Sequence, residues 1–216
     1  MLVFIASLLA CDSNAPTEAD AASGSDAASN DAPDAASEDA APDDAAPLDA
    51  AQDAAPEDAA PDVTGPWVFV SSEVLSGDSV PRANETCTRL GAELGGEWIA
   101  WISTRERDAV DSVRGEGPWY RTDGMMAFES REELRVGPRV PISFDENGDE
   151  LGDVEVFTGT NPDGRYSGVD CRRWRSYYPE DDGTVGRCAE AGDGWTASAS
   201  APCDPPRRVY CFQVTP

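Results

Sequence analysis

The sequence has no histidine, and all 16 of its basic residues are arginines. Without histidine the commonest general base and the commonest zinc ligand are missing, which excludes Ser-His-Asp triads and most zinc-hydrolase sites. Positive charge is also absent from the start of the chain: no base precedes Arg82, whereas Asp12 to Asp62 holds 15 of the 42 acidic residues. Residues 63–216 carry the other 27 acids against 16 Arg, a net charge of −11. Both parts are acidic, which argues against nucleic-acid binding, where a basic footprint is expected.

Long apolar runs are missing too. The first ten residues, MLVFIASLLA, are apolar, but a bilayer core of roughly 30 Å needs about 20 such residues. The length suits the apolar core of a secretory signal. Its ending, Leu8-Leu9-Ala10-Cys11, resembles a bacterial lipobox, in which the cysteine is lipidated and becomes the new N-terminus. The expectation is therefore a signal segment over residues 1–11 with Cys11 lipidated. No Lys or Arg precedes the run, which leaves a start upstream of Met1 open.

From Asp12 to Asp62, 19 Ala, 15 Asp or Glu and 6 Pro make up most of the residues, with an Asp-Ala-Ala-Pro unit recurring between Glu38 and Pro61. Alanine favours helix, but a proline about every five residues removes donors and clashes with the preceding turn. With almost no large apolar side chain to bury and with like charges repelling, residues 12–62 are expected to form a disordered, extended tether.

Residues 63–216 hold all six Trp, all five Tyr and five of the six Cys, the makings of one domain. Trp67 to Ser72 reads as a strand. Ser79-Val80-Pro81 and the run Arg82 to Leu94 read as a helix with proline in its first turn, with Ala83, Cys87, Leu90 and Leu94 on one apolar face. Glu97 to Ser103 is a second strand, and Ser103-Thr104-Arg105-Glu106 is a capping box expected to open a second helix through about Val113. Beyond Gly115, short apolar runs alternate with Gly, Pro, Asn and Asp clusters, no third helix is expected, and Arg208 to Val214 is a terminal strand. The fold class is α+β, two helices and a loop-rich antiparallel β region.

This order resembles the C-type lectin-like fold, and its details resemble the endostatin-like surface lipoproteins best known from spirochaetes. The residues that carry the resemblance are Phe69 to Ser72, Cys87, Ala100 to Ser103, Trp119 to Gly124 and the Glu146-Asn147-Gly148 turn. They continue through Phe157 to Gly164, Cys171 with Trp174, Gly183 to Gly186, Trp195-Thr196, Cys203 and Tyr210-Cys211-Phe212. The resemblance implies nested disulfides, Cys87 with Cys211 and Cys171 with Cys203, in an oxidising compartment. That leaves Cys188 over, expected as a free or intermolecular thiol in a loop. Trp174 is expected to pack against the body.

Other motifs fail as sites. Asp145 to Glu150 alternates oxygen-bearing residues, but an EF-hand needs glycine and glutamate where Glu150 and Val156 stand. A hairpin turn at Asn147-Gly148 is the simpler reading. The Glu-Pro-Asn, Gln-Pro-Asp and Trp-Asn-Asp motifs of calcium-dependent lectins are absent, and without histidine or a basic surface the domain inherits neither the zinc site nor the heparin-binding face associated with endostatin. No catalytic motif such as Gly-x-Ser-x-Gly occurs, so no enzyme, metal or cofactor is expected.

The densest mixture of arginine and aromatic residues is Arg172, Arg173 and Arg175 with Tyr177 and Tyr178, the expected ligand-binding cluster. The plainer reading pairs these arginines with Asp170, Glu180, Asp181 and Asp182 on a solvated loop. The functional expectation is a cell-envelope lipoprotein, membrane-attached through its lipid, on the outer membrane or surface-exposed. It would bind an extracellular or envelope protein or glycan, without catalysis. The alternative is a structural protein docked constitutively on another envelope component.

Overall fold

The computed structural model describes residues 65–215. The expected signal segment ending at Cys11 and the expected tether over residues 12–62 lie outside the described residues. Among the described residues no helix is long and apolar enough to cross a membrane.

The architecture is α+β, built on two sheets. The first strand, β1 (Trp67–Val70), is buried on both faces, with Val68, Phe69 and Val70 all inaccessible to solvent. Apolar residues at consecutive positions of a strand point to opposite sides, so β1 serves two cores at once. It lies inside a five-stranded sheet with β2 (Glu97–Ala100), β3 (Trp119–Arg121), β4 (Met126–Phe128) and β8 (Tyr210–Val214), ordered β2-β8-β1-β3-β4. A second sheet has three antiparallel strands in chain order, β5 (Glu155–Phe157), β6 (Asp182–Arg187) and β7 (Ala199–Pro202). The β region was expected to be antiparallel, and its strand pairs are so except that β3 runs parallel to β1.

The period-2 rule sorts the side chains. On one side of the large sheet Val68, Val70, Tyr210, Phe212 and Val214 meet Trp101, Trp119, Phe128 and Trp195. On the other side Phe69, Trp98, Ala100 and Cys211 meet Cys87, Phe157, Trp174 and Cys203. Two buried polar ends find partners, Trp101 Nε1 donating to Thr196 Oγ1 (2.7 Å) and Tyr210 Oη to the Trp195 carbonyl (2.8 Å), whereas the buried Trp195 Nε1 has none among the described residues. Each large side chain removed from water contributes roughly 1.5–3 kcal/mol.

The expected first helix is a 3-10 turn, Val80–Arg82, carrying Pro81, followed by α1 (Ala83–Leu90). Ala83 and Cys87 are buried; Leu90 is half-buried, and Leu94 lies beyond the helix end on its apolar side. A disulfide joins Cys87 to Cys211 of β8 with Cα atoms 5.3 Å apart.

The second helix differs from expectation. The expected cap Ser103 does not open a helix at Thr104, which instead closes a tight turn: the Thr104 amide donates to the Arg107 carbonyl (2.8 Å), and its hydroxyl accepts from the Arg107 amide (3.2 Å). Helix begins only at Ala109 and lasts four residues, to Ser112. Ser103 was claimed by tertiary contacts instead. It is buried, its amide donates to the Thr158 carbonyl (2.9 Å), and its hydroxyl accepts from the Thr160 hydroxyl and the Ala109 amide (both 2.9 Å). Short helical turns also occur past Gly115, at Arg131–Arg135 and Gly194–Ala197, where none was expected.

Asn147-Gly148 forms a turn, closed by the Phe144–Glu150 bridge. Asp145 Oδ1 accepts the amides of Asn147 (2.8 Å) and Asp149 (3.0 Å). The Arg121-Thr122-Asp123-Gly124 motif is structural: Arg121 is buried, stacks over Phe144 at 4.6 Å and donates to the Pro141 carbonyl and to Asp123.

Candidate functional site

Four successive residues without glycine take up left-handed backbone: Cys171, Arg172, Arg173 and Trp174, with φ of 49°, 54°, 63° and 55°. Left-handed helical geometry costs an L-residue roughly 1–2 kcal/mol, so a complete turn must be held by its surroundings. The surroundings are specific. Cys171 is bonded to Cys203 (Cα–Cα 5.7 Å). Trp174 is buried, donates Nε1 to the Ser103 carbonyl (3.0 Å) and meets the Phe157 ring edge-on at 5.6 Å. Asp170 caps the turn by accepting from the Arg173 amide (2.8 Å). Two glycines make room: a Cβ on Gly183 would stand 2.8 Å from Cys171 Sγ, and one on Gly159, which has φ +60°, 2.7 Å from the Trp174 ring.

With Cys171 and Trp174 anchored inward, the two residues between them, Arg172 and Arg173, are forced outward and are exposed. The five residues expected to bind ligand do not form one cluster. Arg172 turns to Asp181, donating Nε at 2.7 Å. The Ser176 hydroxyl and then Arg172 hold the Asp181 carboxyl below its ordinary range. Tyr177 and Tyr178 stack on each other, centroids 4.5 Å apart, both half-exposed. Arg175 is exposed. Arg173 alone of the five enters a cavity.

That cavity, of about 330 Å³, lies between the 3-10 turn, the end of β2 and the Thr104–Arg107 turn. Val80, Ile99, Ile102 and Trp174 give it an apolar lining, and Arg105, Arg107 and Arg173 a cationic one. Arg105 and Arg107 were missed by sequence reading, which placed them in a helix. The signal available was an Arg-Glu-Arg triplet directly after a strand, a position where a loop would expose both guanidiniums.

The arginines of the domain divide sharply. Nine sit against a carboxylate. Arg131 and Arg208 donate to backbone carbonyls, and Arg82 reaches Ser79 Oγ at 3.5 Å. Among the described residues the remaining four, Arg105, Arg107, Arg173 and Arg175, have neither a carboxylate within 4.0 Å nor a side-chain hydrogen bond. Three of those four line the one cavity. The plainer expectation, that the arginines of this loop pair with nearby acids, holds for Arg172 and Asp181 only.

Asp170, on the cavity wall, makes no ion pair with the Arg173 guanidinium. One carboxylate oxygen accepts from the Arg173 amide and the other from the Tyr166 hydroxyl (2.7 Å). Burial, and then this carboxylate, push the Tyr166 hydroxyl up to about 12, while Arg105 and Arg173 pull in the other direction. Both guanidiniums therefore bear on the same wall.

Cys188 is free among the described residues; it lies in the turn directly after β6 and is buried against the main core. Its thiol donates to the Gly152 carbonyl (2.9 Å) and burial raises its pKa. The other four cysteines are paired as the resemblance implies. Among the described residues no group of three His, Cys, Asp or Glu side chains is placed to hold a metal ion.

No protein-family model matches the chain, and no curated protein matches it either.

Proposed function

We propose that the chain is a lipid-anchored protein of the cell envelope, probing its surroundings with a non-catalytic binding domain of C-type lectin-like, endostatin-like kind. The layout supports this reading: a helix disulfide-bonded to the terminal strand, and a loop-rich excursion stapled to the body by a second disulfide. Disulfides of this sort persist in oxidising compartments outside the cytoplasm. The observation that carries the binding role is that three arginines without an ion pair among the described residues line a single cavity, two on the Thr104–Arg107 turn and one, Arg173, on a strained turn held by a disulfide. Strained segments and conformationally costly loops fixed on a rigid body are where recognition concentrates. Catalysis is not assigned, because the sequence carries no histidine and no catalytic motif such as Gly-x-Ser-x-Gly.

Two measurements test this. Cys11→Ser should move the protein out of the detergent phase in phase partitioning; retention there would overturn lipid anchoring. Pull-down from washed cells should recover partners supplied from outside the cell. A single stoichiometric envelope protein recovered instead would favour the structural alternative.

A further inference from the structure

The cavity beside the left-handed turn specifies a ligand chemistry, and this inference rests on the binding role proposed above. We infer that it takes a single carboxylate carried on an apolar stem, the chemistry of a peptide ending in an aliphatic residue or of a small free acid.

Volume comes first. A cavity of about 330 Å³ is at the small end of ligand sites, enough for one large side chain and its carboxylate. The lining matches that split: Val80, Ile99, Ile102 and Trp174 face the stem, and Arg105, Arg107 and Arg173 face the charge. Guanidiniums recognise carboxylates through paired, charge-assisted hydrogen bonds. These three have no carboxylate within 4.0 Å, and the two acidic residues on the lining, Glu106 and Asp170, leave the arginines in excess.

Net charge decides between one anionic group and many. The domain carries 27 acids against 16 Arg beyond residue 62, so a polyanion laid across it meets repulsion everywhere except here. A lone carboxylate meets only the local excess of arginine. The adjoining cavity, about 780 Å³, shares Ile99 and the Arg105–Arg107 turn and adds Asp108, Asp111 and Arg114. Its three arginines face three acids, so it offers no preference for an anion and leaves a path for the body of a peptide.

The test is calorimetric titration of the full chain with the pentapeptide Ala-Ala-Ala-Ala-Leu, its C-terminal amide, and N-acetyl-leucine. The free-acid peptide should bind, and amidation should weaken it by roughly tenfold or more, as should the double variant Arg105→Gln/Arg107→Gln. Arg187→Gln, which breaks a surface pair with Asp153, should leave binding unchanged. Comparable binding of N-acetyl-leucine assigns the site to free acids; a preference for the pentapeptide assigns it to chain ends. Equal binding of acid and amide, no binding of the acid at millimolar concentration, or an indifferent double variant that melts like the parent, overturns the ligand class. The pull-down above judges the binding role separately, since partners captured independently of Arg105 and Arg107 would sink this inference and leave that reading standing.

Discussion

Arg173 separates what stabilises the domain from what the domain is for. Its φ of 63° suits glycine, and its guanidinium contributes no ion pair among the described residues. Arg173→Gly should relieve about 1–2 kcal/mol of left-handed strain and lose about 0.5–1 kcal/mol to backbone entropy. The expected outcome in urea unfolding is a gain of roughly 0.5–1 kcal/mol, accompanied by weaker peptide binding. Lower stability would show that the side chain packs as scaffold. Tyr166 provides a second residue-level test. Its hydroxyl is pushed up to about 12 in the folded protein from an ordinary value of 10.0, so between those values the unfolded chain holds fewer protons. Tyr166 therefore contributes stability that is full below pH 10 and falls as pH rises towards 12. Tyr166→Phe should flatten that part of the stability profile; an unchanged alkaline slope would refute the assignment. Cys188, buried with its thiol raised by desolvation, should resist alkylation in native Cys11→Ser protein and react on unfolding. Labelling of the native protein would contradict its burial.

At the scale of elements, the Cys171–Cys203 bond and the left-handed turn depend on each other. The bond spans 32 residues, worth roughly 3.5–4 kcal/mol in the chain-entropy model. Without it, the strained turn also loses its anchor. Cys171→Ala/Cys203→Ala should cost about 4 kcal/mol in urea unfolding and abolish peptide binding even where the domain remains folded. Retained binding would mean that Trp174 and Asp170 suffice to hold the turn. The Thr104–Arg107 turn makes a related point. Ser103-Thr104-Arg105-Glu106 has the spacing of a capping box, but such local signals stabilise by about 1 kcal/mol. Burial of Ser103 among Thr158, Thr160 and Trp174 outweighed it and displaced the helix start to Ala109.

For the whole molecule, a −11 domain with one uncommitted arginine cluster predicts a particular response to salt. Exposed charges are screened over about 10 Å at 0.1 M ionic strength. Peptide binding should therefore weaken as salt rises, whereas the melting temperature, set mainly by two aromatic cores and two disulfides, should change little. Salt-independent binding would point to the apolar lining alone.

The residues alone determined the α+β class, β1, β2, β8 and α1 to within a few positions, and the inward face of Ala83 and Cys87. Periodicity and composition suffice there, because burying an alternating or helical apolar pattern allows few solutions. Tertiary structure decided the rest. A left-handed turn at Cys171 to Trp174 has no local signature, since nothing in Cys-Arg-Arg-Trp prefers positive φ; a disulfide, a buried indole and an Asp170 cap impose it from outside. The same holds for the cavity. Arg105 and Arg107 lie more than 60 residues before Arg173, and they share one wall only because Ser103, at the end of the segment that follows β2, accepts the Trp174 indole on its carbonyl.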